Sequence, residues 1–117
     1  MEPGIVYLLS LLLCFRVVET SAYTVGDGLT PGTTMANGER VHVGAVAYND
    51  VPLETKICID RREYIVKDRY GYDGVVDIYM STVSDCLQYG RRLKVIKIGG
   101  CEDANNAGTW EVDTCGG

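Results

Sequence analysis

A chain of 117 residues has the length of one domain, and 16 acidic against 11 basic side chains give it a formal net charge of -5. It holds no basic block and no basic patch interleaved with aromatics, which excludes the usual electrostatic footprint of a nucleic-acid-binding protein. The acidic balance is no obstacle to a neutral glycan.

Residues 1–22 read as a secretory signal peptide. Ile5–Phe15 (IVYLLSLLLCF) is apolar but shorter than the about 20 residues that a membrane helix needs. Thr20-Ser21-Ala22 then offers the small residues of a cleavage site, with Tyr23 as the mature N-terminus. Glu2 stands where a Lys or Arg is usual. Cys14 follows Leu13 rather than a small residue, so it is read as part of the cleaved segment and not as a lipid anchor. The expectation is a secreted protein, periplasmic or cell-wall associated, with no transmembrane segment in the mature chain.

Tyr23 to Gly38 is turn chemistry, punctuated by Gly, Pro, Thr and Asn. Val41, Val43 and Ala45 alternate with His42 and Gly44, which predicts a half-buried strand to about Tyr48, broken by Asn49-Asp50-Val51-Pro52. Thr55–Asp60 is the next strand, Arg61-Arg62-Glu63 a polar turn, and Tyr64–Lys67 a strand that runs into Asp68. Strict alternation places Tyr64, Val66 and Asp68 on one face. A Gly/Tyr-rich loop leads to the strand Val75–Met80, in which Asp77 shares a face with Val75 and Tyr79. Ser81–Tyr89 is the one helix candidate, with Ser81 as N-cap, Val83 and Leu87 at i, i+4, and Gly90 closing it. Leu93–Ile98 is a final strand. Five or six short strands with one helix predict a mainly β fold, a small barrel that leaves no exposed edge and that is six-stranded at the upper count.

Past the expected leader stand Cys58, Cys86, Cys101 and Cys115, an even set suited to stapling a small secreted domain. They allow three pairings. The preferred one joins Cys101 to Cys115, closing the Gly/Asn-rich tail 99–117, and Cys58 to Cys86, a bridge of that size contributing ~3 kcal/mol. Structural zinc does not fit: no pair has the C-x2-4-C spacing, and His42 is the only histidine. No metal and no cofactor is expected.

The order of these elements and their punctuation resembles the double-psi β-barrel of the three-aspartate (3D) domain family of bacterial cell-wall proteins. The resemblance rests on Met35-Ala36-Asn37-Gly38; Val46-Ala47 followed by Val51-Pro52-Leu53-Glu54-Thr55-Lys56; Tyr64-Ile65 leading to Asp68; Val76-Asp77-Ile78-Tyr79; and Gln88-Tyr89-Gly90-Arg91-Arg92. Ala36-Asn37-Gly38-Glu39-Arg40 and Asp68-Arg69 also resemble the related rare lipoprotein A branch. The resemblance implies a double-psi barrel over residues 23–98 and activity on peptidoglycan glycan strands, as in these branches and the membrane-bound lytic transglycosylase A relatives. Three departures stand out. The family's first aspartate falls on Ala47 or Tyr48 unless a shift lets Asp50 replace it, the rare lipoprotein A histidine near Asn49 is missing, and Glu54 replaces a glycine, which implies a turn that has given up φ > 0.

The implied enzyme is a monomeric lytic transglycosylase with Asp77 as its acid, since burial against Val75 and Ile78 would favour the protonated carboxyl. Asp68 would orient substrate or face the charge that develops at the anomeric carbon. The competing role for Asp77 is capping backbone N–H groups in a barrel crossing. Tyr70 and Tyr72 would stack on sugar rings, with Tyr79 read as core; Glu39 and Asp50 are further substrate-binding candidates. His42 reads as a surface histidine. Arg91-Arg92 would either pair with acidic loops or meet muramyl peptide carboxylates, and the solvated reading is taken by default. Two alternatives from other classes remain, a non-catalytic expansin-like wall-binding module and an extracellular disulfide-rich interaction protein.

Overall fold

The computed structural model describes residues 14–25 and 32–101. Six strands and one helix follow in chain order: β1 (Phe15–Tyr23), β2 (Ala45–Ala47), β3 (Lys56–Ile59), β4 (Arg62–Asp68), β5 (Val75–Tyr79), α1 (Val83–Tyr89) and β6 (Arg92–Ile98). They close into a barrel in the order β1-β5-β2-β4-β3-β6. Two pairs are parallel, β1 with β5 and β2 with β4, and the other four are antiparallel. Exchanging β1-β2-β3 for β4-β5-β6 reproduces every neighbour and every sense. This pseudo-twofold, in which the first strand of each half runs parallel to the middle strand of the other and forces the connections to cross, is the double-psi arrangement that the sequence predicts.

The interior is aliphatic and built by alternation. Val18, Val46, Ile57, Ile59, Val66, Val76, Ile78, Ile96 and Ile98 are buried with Tyr48, Val51 and Tyr64, and Leu53, Met80 and Tyr89 pack against them. The β3–β4 hairpin turns on Asp60 and Arg61, both with positive φ (51° and 65°), and Ile59 pairs with Arg62. Left-handed residues at both turn positions match the right-handed strand twist, so the turn lies one residue earlier than Arg61-Arg62-Glu63.

The expected boundary between residues 22 and 23 falls inside β1. This strand pairs with β6 through Phe15–Thr20 and with β5 through Glu19–Tyr23, so residues 15–22 are barrel wall. Its inward Val18 and Thr20 are buried, while Phe15, Arg16 and Val17 are exposed. The apolar run that ends at Phe15 and the strand that begins there thus overlap in sequence. Cys14, just before β1, is disulfide-bonded. No helix among the described residues is long and apolar enough to cross a membrane.

The disulfide pairing also differs from expectation. Cys58 bonds Cys101, with 5.1 Å between Cα atoms and 43 residues of separation, so neither Cys86 nor Cys115 is the partner. The cause is strand order: Cys58 lies opposite Lys97 on β6, and Gly99 N–H donates to the Lys56 carbonyl, which returns the chain over β3. Closing a loop of that length contributes about 4 kcal/mol in the chain-entropy account. Cys115 lies outside the described residues, and Cys86 is on α1, away from β3.

Helix α1 is capped by Thr82, whose hydroxyl accepts the Asp85 N–H at 3.1 Å, rather than by Ser81. Its Val83 and Leu87 are exposed rather than an anchoring pair. The anchor is Tyr89. The Thr20 hydroxyl donates to the Arg92 carbonyl, so across the 2.6 Å contact the Tyr89 hydroxyl is the donor to Thr20. Arg92 lies over the Tyr89 ring at 4.4 Å.

The expected relaxation at Glu54 does not occur: its φ is +73°, the left-handed geometry a glycine would adopt freely. Its N–H donates to the Val66 carbonyl at 2.7 Å, which pins the turn. Glu54→Gly removes an oxygen that accepts Asn37 Nδ2 at 2.8 Å but relieves the left-handed cost of a side chain, which exceeds the entropic cost of glycine, so it should raise stability by about 0.5 kcal/mol in urea denaturation. A chain starting at Tyr23 lacks β1 and leaves β5 and β6 as open edges. It should show neither a cooperative unfolding transition nor dispersed amide resonances, both of which the full chain should show.

Candidate functional site

The β2–β4 ladder carries a register shift. Val46 pairs with Val66, yet the next residue, Ala47, pairs with Asp68, leaving Lys67 as the extra residue of a bulge. Consecutive residues of β2 point to opposite faces, so Val66 and Asp68 do too. The parity predicted for Tyr64, Val66 and Asp68 is thereby corrected: Val66 enters the core and Asp68 turns outward. On the other side of β2, Ala47 pairs with Asp77, and Asp77 pairs in turn with Ser21 of β1. The outcome is a row across four neighbouring strands, Ser21, Asp77, Ala47 and Asp68, on the outer wall of the barrel. All four line one open cleft of about 720 Å³.

The two aspartates are held differently. The Ser21 hydroxyl donates to Asp77 Oδ1 at 2.8 Å. Asp68 Oδ1 accepts two backbone N–H groups, from Ala36 at 2.9 Å and Arg69 at 2.8 Å, while its own carbonyl accepts the Tyr48 N–H at 3.0 Å. Asp68 thus has a backbone-capping role of the kind weighed for Asp77. Two strand spacings separate the two residues, about 9–10 Å between chains.

The cleft wall is made by Tyr23, Thr34, Val41, Arg69, Tyr70 and Arg91. Arg69 braces the connection between β2 and β3, donating from Nη1 to the carbonyls of Tyr48 (2.7 Å) and Val51 (2.6 Å). Asn49 clamps the tyrosine loop: its side chain accepts the Tyr70 N–H at 2.8 Å and donates to the Tyr70 carbonyl at 2.9 Å and to Asp73 at 3.0 Å.

Of the residues singled out from sequence, Asp68, Asp77 and Tyr70 come together in the cleft. Tyr72 sits on the rim side of the loop, exposed, its ring tilted against Tyr70 at 6.0 Å. Asp50 accepts the Gly74 N–H at 3.2 Å and so serves the loop's shape. Glu39 lies apart from the cleft lining, held by Lys67 at 2.7 Å and Asn37 at 2.7 Å, and the Lys67 ammonium beside it lowers its carboxyl below the usual range. His42 is exposed beside Glu39, at 3.5 Å.

Sequence reasoning missed Ser21 and Tyr23, because both were assigned to the leader and its cleavage point. The available signal was Arg16 and Glu19 inside a run of β-branched residues, charges that end an apolar leader and suit a strand. Tyr23 is buried, packs edge-on against Tyr79 at 5.6 Å, and its hydroxyl has no hydrogen-bond partner among the described residues. Burial first, then the charges of Asp68 and Asp77, push its phenol well above the ordinary value. It remains a neutral phenol beside two carboxylates.

No protein-family model matches the chain, and no curated protein matches it.

A folded-state pKa above the ordinary value of 10.0 means that the stability tied to neutral Tyr23 is present below that pH and is lost as pH rises towards the folded value. Tyr23→Phe should match wild type in stability at pH 7, since the lost hydroxyl has no partner. It should then outlast wild type above pH 10, with thermal unfolding followed across the alkaline range as the measurement.

Proposed function

We propose that the protein is a secreted, monomeric enzyme of the three-aspartate barrel type that its motifs resemble, cleaving peptidoglycan glycan strands as a lytic transglycosylase at the cell wall. The observation that carries this reading is the row Ser21-Asp77-Ala47-Asp68 along the floor of an open cleft with tyrosine and arginine walls. A retaining glycosidase needs its two carboxyl groups about 5–5.5 Å apart so that one can attack the anomeric carbon. Two strand spacings, about 9–10 Å, exceed that separation and lie at the upper end of the about 6.5–9.5 Å of an inverting pair, so the choice of a route in which one carboxyl group does the proton work rests on the resemblance.

Asp77 is assigned that work. Its carboxyl proton passes to the glycosidic oxygen, the bond from that oxygen to the anomeric carbon breaks, and positive charge develops on the sugar. The C6 hydroxyl of muramic acid then bonds to the anomeric carbon and gives its proton to the Asp77 carboxylate. The 1,6-anhydro ring closes, the acid is restored and no water is consumed. Ser21 orients the carboxyl group. Asp68, held by two backbone N–H groups, supplies a fixed negative charge across Ala47 from the reacting bond. Tyr70 offers a ring face to a sugar.

A second reading is favoured by Ala47 and Tyr48, one of which stands where the resembled family carries its first aspartate: an expansin-like module that binds the wall without cutting it. Mass spectrometry of soluble products after the full chain meets insoluble peptidoglycan separates the two. Products one water lighter than those of hydrolysis are expected from wild type, with a loss of at least 100-fold in Asp77→Asn. Retention on the wall with no product from either protein would leave only the binding module.

A further inference from the structure

The cleft contains a cation that the proton chemistry does not use. Arg91 follows Gly90 at the end of α1, lines the cleft beside Asp77 and Tyr70, and keeps its side chain 68% exposed. Its guanidinium is held from one side only, Nη1 donating to Glu19 Oε1 at 2.9 Å. A guanidinium has five N–H donors in a planar fork, and among the described residues the contact with Glu19 is the one hydrogen bond of this exposed, cleft-lining side chain. The other arginine of the wall, Arg69, is differently placed, since its Nη1 is committed to two carbonyls.

The spacing along β1 links this cation to the acid. Glu19 and Ser21 are two residues apart on the same face; Glu19 holds Arg91 and Ser21 holds Asp77. Two residues of strand span about 7 Å, roughly the length of one sugar ring with its substituent. Glu19 and Asp77 raise the Arg91 pKa further, so the cation is permanent. An exposed planar fork in the lining of the cleft is suited to a carboxylate.

We propose that Arg91 forms a carboxylate-binding subsite that selects muramic acid through the acidic group on its substituent, one sugar ring from the bond that Asp77 acts on. The proposal rests on the peptidoglycan reading above. The carboxylate has two possible sources, the free lactyl group of denuded glycan and the carboxylates of a stem peptide. Glu19 is the resident competitor for the same fork. A neutral glycan lacks the recognised group.

The test is calorimetric binding to the full chain of three probes: the N-acetylglucosamine–N-acetylmuramic acid disaccharide with a free lactyl carboxylate, the same disaccharide as its lactyl methylamide, and the disaccharide bearing a stem peptide with free carboxylates. At least one acidic probe should bind on the order of tenfold tighter than the methylamide, the size expected of one charge-assisted hydrogen-bonded pair, and which one does so identifies the source. Arg91→Gln should abolish the difference. Glu19→Gln, which frees the fork, should widen it, a change opposite in sign to that of a merely structural ion pair. Equal binding of acid and amide by wild type, a preference that survives Arg91→Gln, or no binding of any probe would each overturn the subsite. A carboxylate preference without wall cleavage retires the enzyme and keeps the subsite, whereas cleavage without the preference does the reverse.

Discussion

Strand β1 is the element on which both the barrel and the cleft depend, because it is the only link between β6 and β5. Its inner face supplies Val18 to the core and Thr20 to the contact that anchors α1 through Tyr89. Its outer face supplies Glu19, Ser21 and Tyr23, which meet Arg91, Asp77 and the buried wall of the cleft. Period-2 alternation lets one nine-residue strand serve both purposes. Backbone pairing on both sides then fixes the register, so that a slip of one residue would exchange core and site.

The second constraint is the bulge in β4. A regular ladder would send Asp68 into the same interior as Val66, where an unpaired carboxylate is prohibitively costly. One extra residue, Lys67, turns Asp68 outward while Val66 stays in, and the Ala36 and Arg69 N–H groups receive the carboxylate there. Lys67 is itself used, since its ammonium reaches Glu39 on the connection between β1 and β2. A bulge beside a site that re-aims a side chain is a recurrent use of this irregularity.

These two constraints mark what the chain discloses before it is folded. The β-branched runs around Tyr64–Val66 and Val75–Ile78 announce strands, and the aspartates that end or interrupt them are visible as carboxylates near strand termini. That both enter one cleft follows from pairing with Ala47, a neighbour relation that lies between segments 20 to 30 residues apart and leaves no local trace. The bulge is equally silent, because Lys67 fits alternation as well as it fits an insertion. The expected cleavage point falls inside a strand because small residues such as Ser21 and Ala22 fit either one, and only the charges Arg16 and Glu19 hint locally that the strand has begun. The disulfide was out of reach for a topological reason, since Cys58 and Cys101 meet only because β3 and β6 are neighbours in a closed barrel.

Ala47 gives the row its character. A carboxylate at that position would stand one strand spacing, about 4.8 Å, from both Asp77 and Asp68. Like charges so close do not all ionise together, and a proton would be retained within the cluster by repulsion alone. With alanine there, the next carboxylate along the row from Asp77 is Asp68, two spacings away, and Coulomb repulsion between members of the row falls at least twofold with the doubled distance. Any tendency of Asp77 to hold a proton then depends on what covers it. The Ser21 hydroxyl donates to the carboxylate and so favours its charged form, while the neutral, buried Tyr23 beside it supplies part of the cover. Under the proposed reading, the rest of the cover comes from a bound ligand that excludes water from the open cleft, so that proton transfer by Asp77 waits for a sugar chain to lie along the row.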